Sequence, residues 1–140
     1  MGKRRKAREF AIQVLFHQEF SPGGPDEAFS LIRDNFDSIK SGRDFSKLLI
    51  EGVYEKKDIL DGLISRASRN WKLSRMPKLE KCILRLAVFE ILFIEDIPPK
   101  VSIDEAVELG KKFSGDESGS FINGVLDNIY NSLIKDGTLA

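Results

Sequence analysis

Apolar residues recur along the chain at intervals of three and four positions, which is the spacing of one face of an α-helix. Separate apolar stripes predict helices in the segments 45–53, 59–67, 77–94, 102–113 and 121–134. A further helix is predicted at the start of the chain, and a short one between Pro25 and Phe36. Because no convincing strand pattern accompanies them, we predict an all-α fold of about seven helices.

Capping residues and glycines set the predicted helix boundaries. Asp58 is expected to cap the stripe that follows it, and Ser102 has capping-box spacing with Glu105. Gly115 is expected to end the preceding helix. Gly124 follows Asn in a pair that is typical of hairpin turns, but the helical stripe continues through it in register. We therefore predict that it is a helical glycine that allows a neighbouring helix to approach closely.

Size and composition limit the class of protein. A chain of 140 residues predicts one domain or two small packed halves. The single cysteine, Cys82, excludes an internal disulfide, and no stretch resembles a secretion signal or a membrane span, so we expect a cytoplasmic protein. The 22 basic residues balance the 22 acidic ones. Any nucleic-acid binding must therefore be confined to one part of the surface.

Positive charge is concentrated at the start of the chain, where five of the first eight residues are basic. An apolar stripe that begins at Ala7 overlaps this cluster, so we expect Arg8 to be fixed on a helix, Arg4 and Arg5 to lie at the edge of that helix, and Lys3 to be mobile. Arg4, Arg5 and Arg8 would then fall within an arc of about 100°. Guanidinium groups make bidentate contacts with phosphate, which favours nucleic-acid binding here. The alternative is a basic start that only increases solubility.

No set of residues in the sequence supports catalysis. His17 is the only histidine and has no second metal ligand nearby, and Cys82 lies in an apolar helical stretch. Glu90 interrupts an apolar run, so its carboxylate needs a partner, either within the fold or at an interface with another protein. We therefore expect no enzyme activity, no cofactor and no metal site.

Five segments, in order along the chain, resemble the NusB family of bacterial transcription antitermination factors. They are RRKAREFAIQVLF at 4–16, NW at 70–71, EKCILRLAVFEILF at 80–93, DIPPKVSIDEAVELGKKF at 96–113 and SGSFINGVLD at 118–127. The resemblance implies two packed helical bundles within one domain over 1–140, with halves at about 1–70 and 76–140. It also implies a factor that binds the boxA RNA of ribosomal RNA leader transcripts together with NusE, a small ribosomal subunit protein. RNA polymerase and other Nus factors would complete the antitermination complex.

The resemblance also implies functional residues by position. RNA contacts are implied at the basic start and in a second patch before the last apolar stripe: Arg4, Arg5, Lys6, Arg8, Glu117, Ser118 and Phe121. Contacts with the protein partner are implied at Arg85 and Glu90. Lys6 replaces an arginine of the family's basic start, and an ammonium lacks the bidentate geometry of a guanidinium.

Two alternatives stay open at this point. The chain would be a helical protein-interaction module without RNA binding if its basic start has no function. It would be a detached NusB-like domain of a ribosomal RNA cytosine methyltransferase if it were a fragment, although 140 residues leave no room for the catalytic domain. The oligomeric state is open as well, because an exposed partner-binding surface would also allow a homodimer.

Overall fold

The computed structural model describes residues 2–20, 43–68 and 72–139. Within these ranges the chain forms five α-helices and one short 3-10 helix, and no strand. The elements are α1 (Gly2–Gln18), α2 (Arg43–Ala67), the 3-10 helix (Leu73–Arg75), α3 (Lys78–Phe93), α4 (Pro99–Ser114) and α5 (Asp116–Lys135). The predicted all-α class is therefore confirmed.

The predicted number of about seven helices is wrong, since the described residues contain five. The stripes 45–53 and 59–67 both lie in the uninterrupted helix α2. The residues that join them, Tyr-Glu-Lys-Lys at 54–57, include neither glycine nor proline and so continue the helix. Asp58 is consequently an exposed residue inside α2 and not an N-cap. The helix predicted between Pro25 and Phe36 lies outside the described residues.

The chain divides into two compact units, Met1–Lys56 and Lys57–Ala140. In the first unit, α1 buries an apolar stripe with the helical spacing i, i+3, i+4, i+7, i+8, formed by Ala7, Phe10, Ala11, Val14 and Leu15. The hydroxyl of Ser46, near the start of α2, donates a hydrogen bond of 3.1 Å to the carbonyl oxygen of Ala7. The predicted halves at about 1–70 and 76–140 stay a prediction.

The second unit is built around α3. Its ten consecutive residues from Cys82 to Ile91 are all buried, as predicted from their apolar character on nearly every side. The helices α3, α4 and α5 pack against one another in pairs. The side-chain amide of Asn128 on α5 also donates a hydrogen bond of 3.2 Å to the carbonyl oxygen of Ala67, at the end of α2. This bond gives a partner to one of the carbonyl groups that a helix leaves unpaired at its end.

The helix α4 begins earlier than its sequence signals predict. It starts at Pro99, because proline at the first helical position has a suitable φ and loses no helical hydrogen bond there. Ser102 therefore lies inside the first turn, and the capping box predicted for Ser102 and Glu105 is wrong. The hydroxyl of Ser102 instead donates a hydrogen bond of 2.8 Å to Oε1 of Glu90 on α3.

One glycine separates α4 from α5, and others determine how closely the two helices pack. Gly115 has φ 97° and ψ 178°, a conformation that is essentially restricted to glycine. A Cβ atom on Gly110 would lie only 2.6 Å from Cδ1 of Ile122, whereas a Cβ on Gly124 would have no neighbour within 4 Å. Gly124 is helical, as predicted, but the close approach predicted there occurs at Gly110 instead.

Candidate nucleic-acid interface

The basic cluster occupies the first two turns of α1. The sequence from Lys3 to Arg8 contains strong helix formers and no glycine or proline, so the helix extends through the whole cluster. The side chains of Lys3, Arg4, Arg5 and Lys6 are exposed, whereas Arg8 is only 3 % exposed. The helix therefore begins earlier than predicted and includes Lys3, Arg4 and Arg5. The basic cluster has four of its five side chains at the surface.

The electrostatics of this helix start favour an anion. The first turn of α1 contains no acidic residue. Backbone N–H groups at a helix N-terminus already carry partial positive charge, and each nearby cation opposes the macrodipole by about 0.3–1 kcal/mol. A phosphate group bound at this end would relieve that repulsion. The arrangement is suited to contact with a phosphate backbone.

Two of the predicted arginines converge on a single aromatic ring. The guanidinium carbon of Arg4 lies 4.7 Å from the ring centroid of Phe45, and that of Arg8 lies 5.5 Å from the same centroid. Both distances are within the range of a cation–π contact. Phe45 was not identified from the sequence, where it is only one member of an apolar stripe. A contact across about 40 positions leaves no signal in a single sequence.

The second predicted patch lies at the start of α5. Asp116 and Glu117 occupy the exposed first turn, and Phe121 is partly exposed one turn later. Ser118 is buried, and its hydroxyl makes no hydrogen bond within the described part of the chain. Glu117, Ser118 and Phe121 therefore share the first two turns of one helix, and only Phe121 offers a group that can stack on a base.

The two residues predicted to contact a protein partner make internal contacts in the second unit. Arg85 is 6 % exposed and binds Asp61 on α2 through two hydrogen bonds, of 2.6 Å from Nε and 2.9 Å from Nη2. Glu90 is 0 % exposed, and its carboxylate accepts a hydrogen bond from the hydroxyl of Ser102. The carboxylate of Glu90 thus has the hydrogen-bonding partner that its apolar surroundings require. A role of Arg85 and Glu90 in partner binding stays a prediction.

Cysteine and metal-ligating side chains are the other groups that could carry chemistry. Cys82 is buried and forms no disulfide, and no group of three His, Cys, Asp or Glu side chains within the described residues could hold a metal ion. None of the helices in the described ranges is long and apolar enough to cross a membrane.

Comparison with known proteins gives a match over most of the chain. The model of the NusB family matches residues 5–131. The transcription antitermination protein NusB of Syntrophus aciditrophicus is 47% identical over 135 residues, which are 96% of this chain and 84% of that protein. The protein of the same name from Desulforapulum autotrophicum is 49% identical over 131 residues, which are 92% of each chain.

A solved structure extends this similarity to three dimensions. A chain in the crystal structure of the antitermination factors NusB and NusE in complex with dsRNA superposes with a TM-score of 0.84. That chain is 28% identical in sequence, and the superposition covers 94% of this chain and 98% of the other. The fold is thus similar to that of a chain crystallised with NusE and dsRNA.

Proposed function

This chain belongs to the NusB family, and we propose that it acts in transcription antitermination by binding the boxA RNA of ribosomal RNA leader transcripts. The family resemblance seen in the sequence is confirmed by the match over residues 5–131. The expectation that the chain is not an enzyme is confirmed as well, because its relatives are named as transcription antitermination proteins, which are regulatory factors.

The observation that carries the proposed RNA binding is the exposed basic turn of α1. A chain without net charge has no general attraction for nucleic acid, so its affinity for RNA must come from a local cluster. We assign phosphate contacts to Arg4, Arg5 and Lys6, which are exposed on the first turns of α1. Arg8 belongs to the same site but is buried, so it attracts phosphate through its charge and not through direct contact.

The start of α5 is proposed as the second RNA-contacting patch. Phe121 is assigned to stacking on a base, which is worth about 1–3 kcal/mol per base in single-stranded complexes. Glu117 is exposed beside it and is assigned a hydrogen bond from a base amino group. Ser118 is assigned to the same patch because its buried hydroxyl has no hydrogen-bonding partner in the described part of the chain, which costs free energy. If RNA binding opens this turn, the hydroxyl gains a hydrogen bond to the RNA.

NusE is proposed as the protein partner. The chain, NusE and the RNA are proposed to join RNA polymerase and other Nus factors in one complex in the cytoplasm. A similar chain, 28% identical, was crystallised with NusE and dsRNA, which supports this choice. Arg85 and Glu90 would contribute to partner binding indirectly, from inside the second unit. Arg85 holds α3 against α2 through Asp61, and Glu90 holds α3 against α4 through Ser102. Self-association of the free chain would compete with NusE if it uses the same surface.

A binding titration tests the proposed function. We expect the parent chain to bind a short boxA-like RNA, and the variant R4A/R5A to bind it more weakly. Loss of two phosphate contacts lowers the slope of log affinity against log salt by about 1.4 for single strands. The control is R75A/K100A, which removes the same charge from two exposed positions in the second unit.

Addition of NusE should then tighten RNA binding, and RNA should tighten NusE binding by the same factor, with a coupling of about 1–3 kcal/mol. If the arginine variant keeps the affinity and salt slope of the parent, Arg4 and Arg5 do not contact the RNA. If the parent chain itself does not bind the RNA, the chain is better described as a protein-interaction module without RNA binding. Equal affinity for NusE with and without RNA would contradict the cooperative role.

A further inference from the structure

The ring of Phe45 on α2 contacts two charged residues of α1, Arg4 and Arg8. Arg4 and Arg8 are one helical turn apart, so their side chains leave α1 on the same face. Their guanidinium carbons lie 4.7 and 5.5 Å from the centroid of the Phe45 ring. One ring therefore attracts two cations that repel each other.

The residue next to Phe45 holds the same part of α1 by its backbone. The buried hydroxyl of Ser46 donates a hydrogen bond of 3.1 Å to the carbonyl oxygen of Ala7, which is adjacent to Arg8 in sequence. Phe45 and Ser46 thus contact the side chains and the main chain of one basic turn. Both contacts bridge about 40 positions of sequence, so neither depends on the helix propensity of α1 alone.

The two arginines differ in exposure although they share the ring. Arg4 is exposed, whereas Arg8 is buried. A cation–π contact depends on the charge of the guanidinium over the ring and does not require an N–H donor. An arginine fixed in this way loses less side-chain freedom when it binds a ligand, which raises its affinity for that ligand.

We propose that Phe45 is a positioning residue for the RNA-contacting basic turn, because its ring holds the exposed Arg4 on the face of α1 that meets the phosphates, beside the buried Arg8. This proposal rests on the proposed function, since it explains how the basic turn is ordered before RNA arrives. Phe45 itself is only partly exposed, and RNA recognition is assigned to the arginines and not to the ring.

The test compares variants at Phe45 in the full-length chain, with a short boxA-like RNA as the probe. Phe45→Leu keeps an apolar side chain and removes the ring, so we expect RNA affinity to fall about 3- to 20-fold. Phe45→Trp keeps a ring and should restore the affinity. The matched control is Phe20→Leu, an exposed phenylalanine of the first unit that lies beyond the other end of α1.

Two further measurements distinguish positioning from general packing. The side-chain NMR signals of Arg4 and Arg8 should lose their ring-current shift in Phe45→Leu and keep one in Phe45→Trp. In a double-mutant cycle, Arg4→Ala should reduce RNA affinity less in the Phe45→Leu background than in the parent, because the ring no longer positions that arginine.

The outcomes separate this proposal from the function on which it rests. If R4A/R5A weakens RNA binding while Phe45→Leu does not, the positioning role is wrong and RNA binding by the arginines stands. Equal losses in the leucine and tryptophan variants, together with no coupling to Arg4, would also overturn the positioning role. If R4A/R5A leaves RNA affinity unchanged, the positioning role of Phe45 and the assignment of RNA contacts to Arg4 and Arg5 are both wrong.

Discussion

The two segments assigned to RNA both begin an α-helix, yet they differ in charge and in what holds them. The start of α1 carries exposed basic residues and no acidic residue in its first turn. The start of α5 carries Asp116 and Glu117 in its first turn. Carboxylates stabilise the positive end of a helix, whereas cations destabilise it, so only α5 has favourable electrostatics of its own.

The two helix starts also differ in the sequence distance of the residues that contact them. The start of α5 packs against the preceding helix, where Gly110 allows Ile122 and Ser118 to approach within contact distance. The start of α1 contacts Phe45 and Ser46, which are distant in sequence. The start of α1, which is the more strongly charged of the two, thus combines unfavourable local electrostatics with stabilising contacts from residues distant in sequence. Such local conflict is typical of functional sites.

The largest expected effect tests the close packing behind α5. Gly110→Ala should destabilise the chain by about 1–3 kcal/mol, because the new Cβ would meet the buried end of Ile122. The matched control is Gly124→Ala, where the added methyl group meets nothing within 4 Å. That control should stabilise the helix by about 0.5–1 kcal/mol. Urea unfolding monitored by circular dichroism measures both values, and equal effects at the two glycines would contradict the assigned packing.

A smaller effect is expected at Ser118, the buried serine in the first turn of α5. Ser118→Ala removes a hydroxyl that has no hydrogen-bonding partner in the described part of the chain, so stability should rise by about 1 kcal/mol. The same substitution should weaken RNA binding, since the hydroxyl is assigned to the interface. Thermal unfolding and RNA titration on the same sample separate the two effects. A more stable variant with unchanged RNA affinity would remove Ser118 from the proposed site.

The smallest expected effect tests whether the acidic residues at the start of α5 weaken RNA binding. Asp116→Asn should raise RNA affinity about twofold at low salt, because one repulsive charge beside the second patch is removed, and the gain should shrink as salt increases. The control is Asp127→Asn, an exposed acidic residue further along α5. A weaker affinity in the Asp116 variant would show that this carboxylate accepts a hydrogen bond from RNA.

Much of the fold follows from the spacing of apolar residues. The buried helix α3 is evident from a run that is apolar on nearly every side, and α5 from a stripe that continues through Gly124. The errors arise where local signals compete. Asp58 is a good N-cap residue in isolation, but the residues before it favour helix, so no boundary forms there. Pro99 likewise starts α4 before the capping signal at Ser102 can do so.

The candidate site is predictable only as far as residue type and local spacing determine it. The helical basic cluster follows from the sequence because charge and periodicity lie in the same short segment. Phe45 and Gly110 do not, because their contacts with Arg4 and Ile122 depend on how separate helices pack. The need of Glu90 for a partner is predictable from its apolar neighbours, but the identity of that partner, Ser102, is not.

The single glycine between α4 and α5 also has a consequence for how the chain folds. Because Gly115 alone joins the two helices, Gly110 meets Ser118 and Ile122, which are only a few turns further along the chain. Bringing such residues together requires closure of only a short loop, which costs little chain entropy. Local contacts of this kind are associated with fast folding. The segment 99–135 is therefore suited to form an early helical hairpin, onto which α3 then packs.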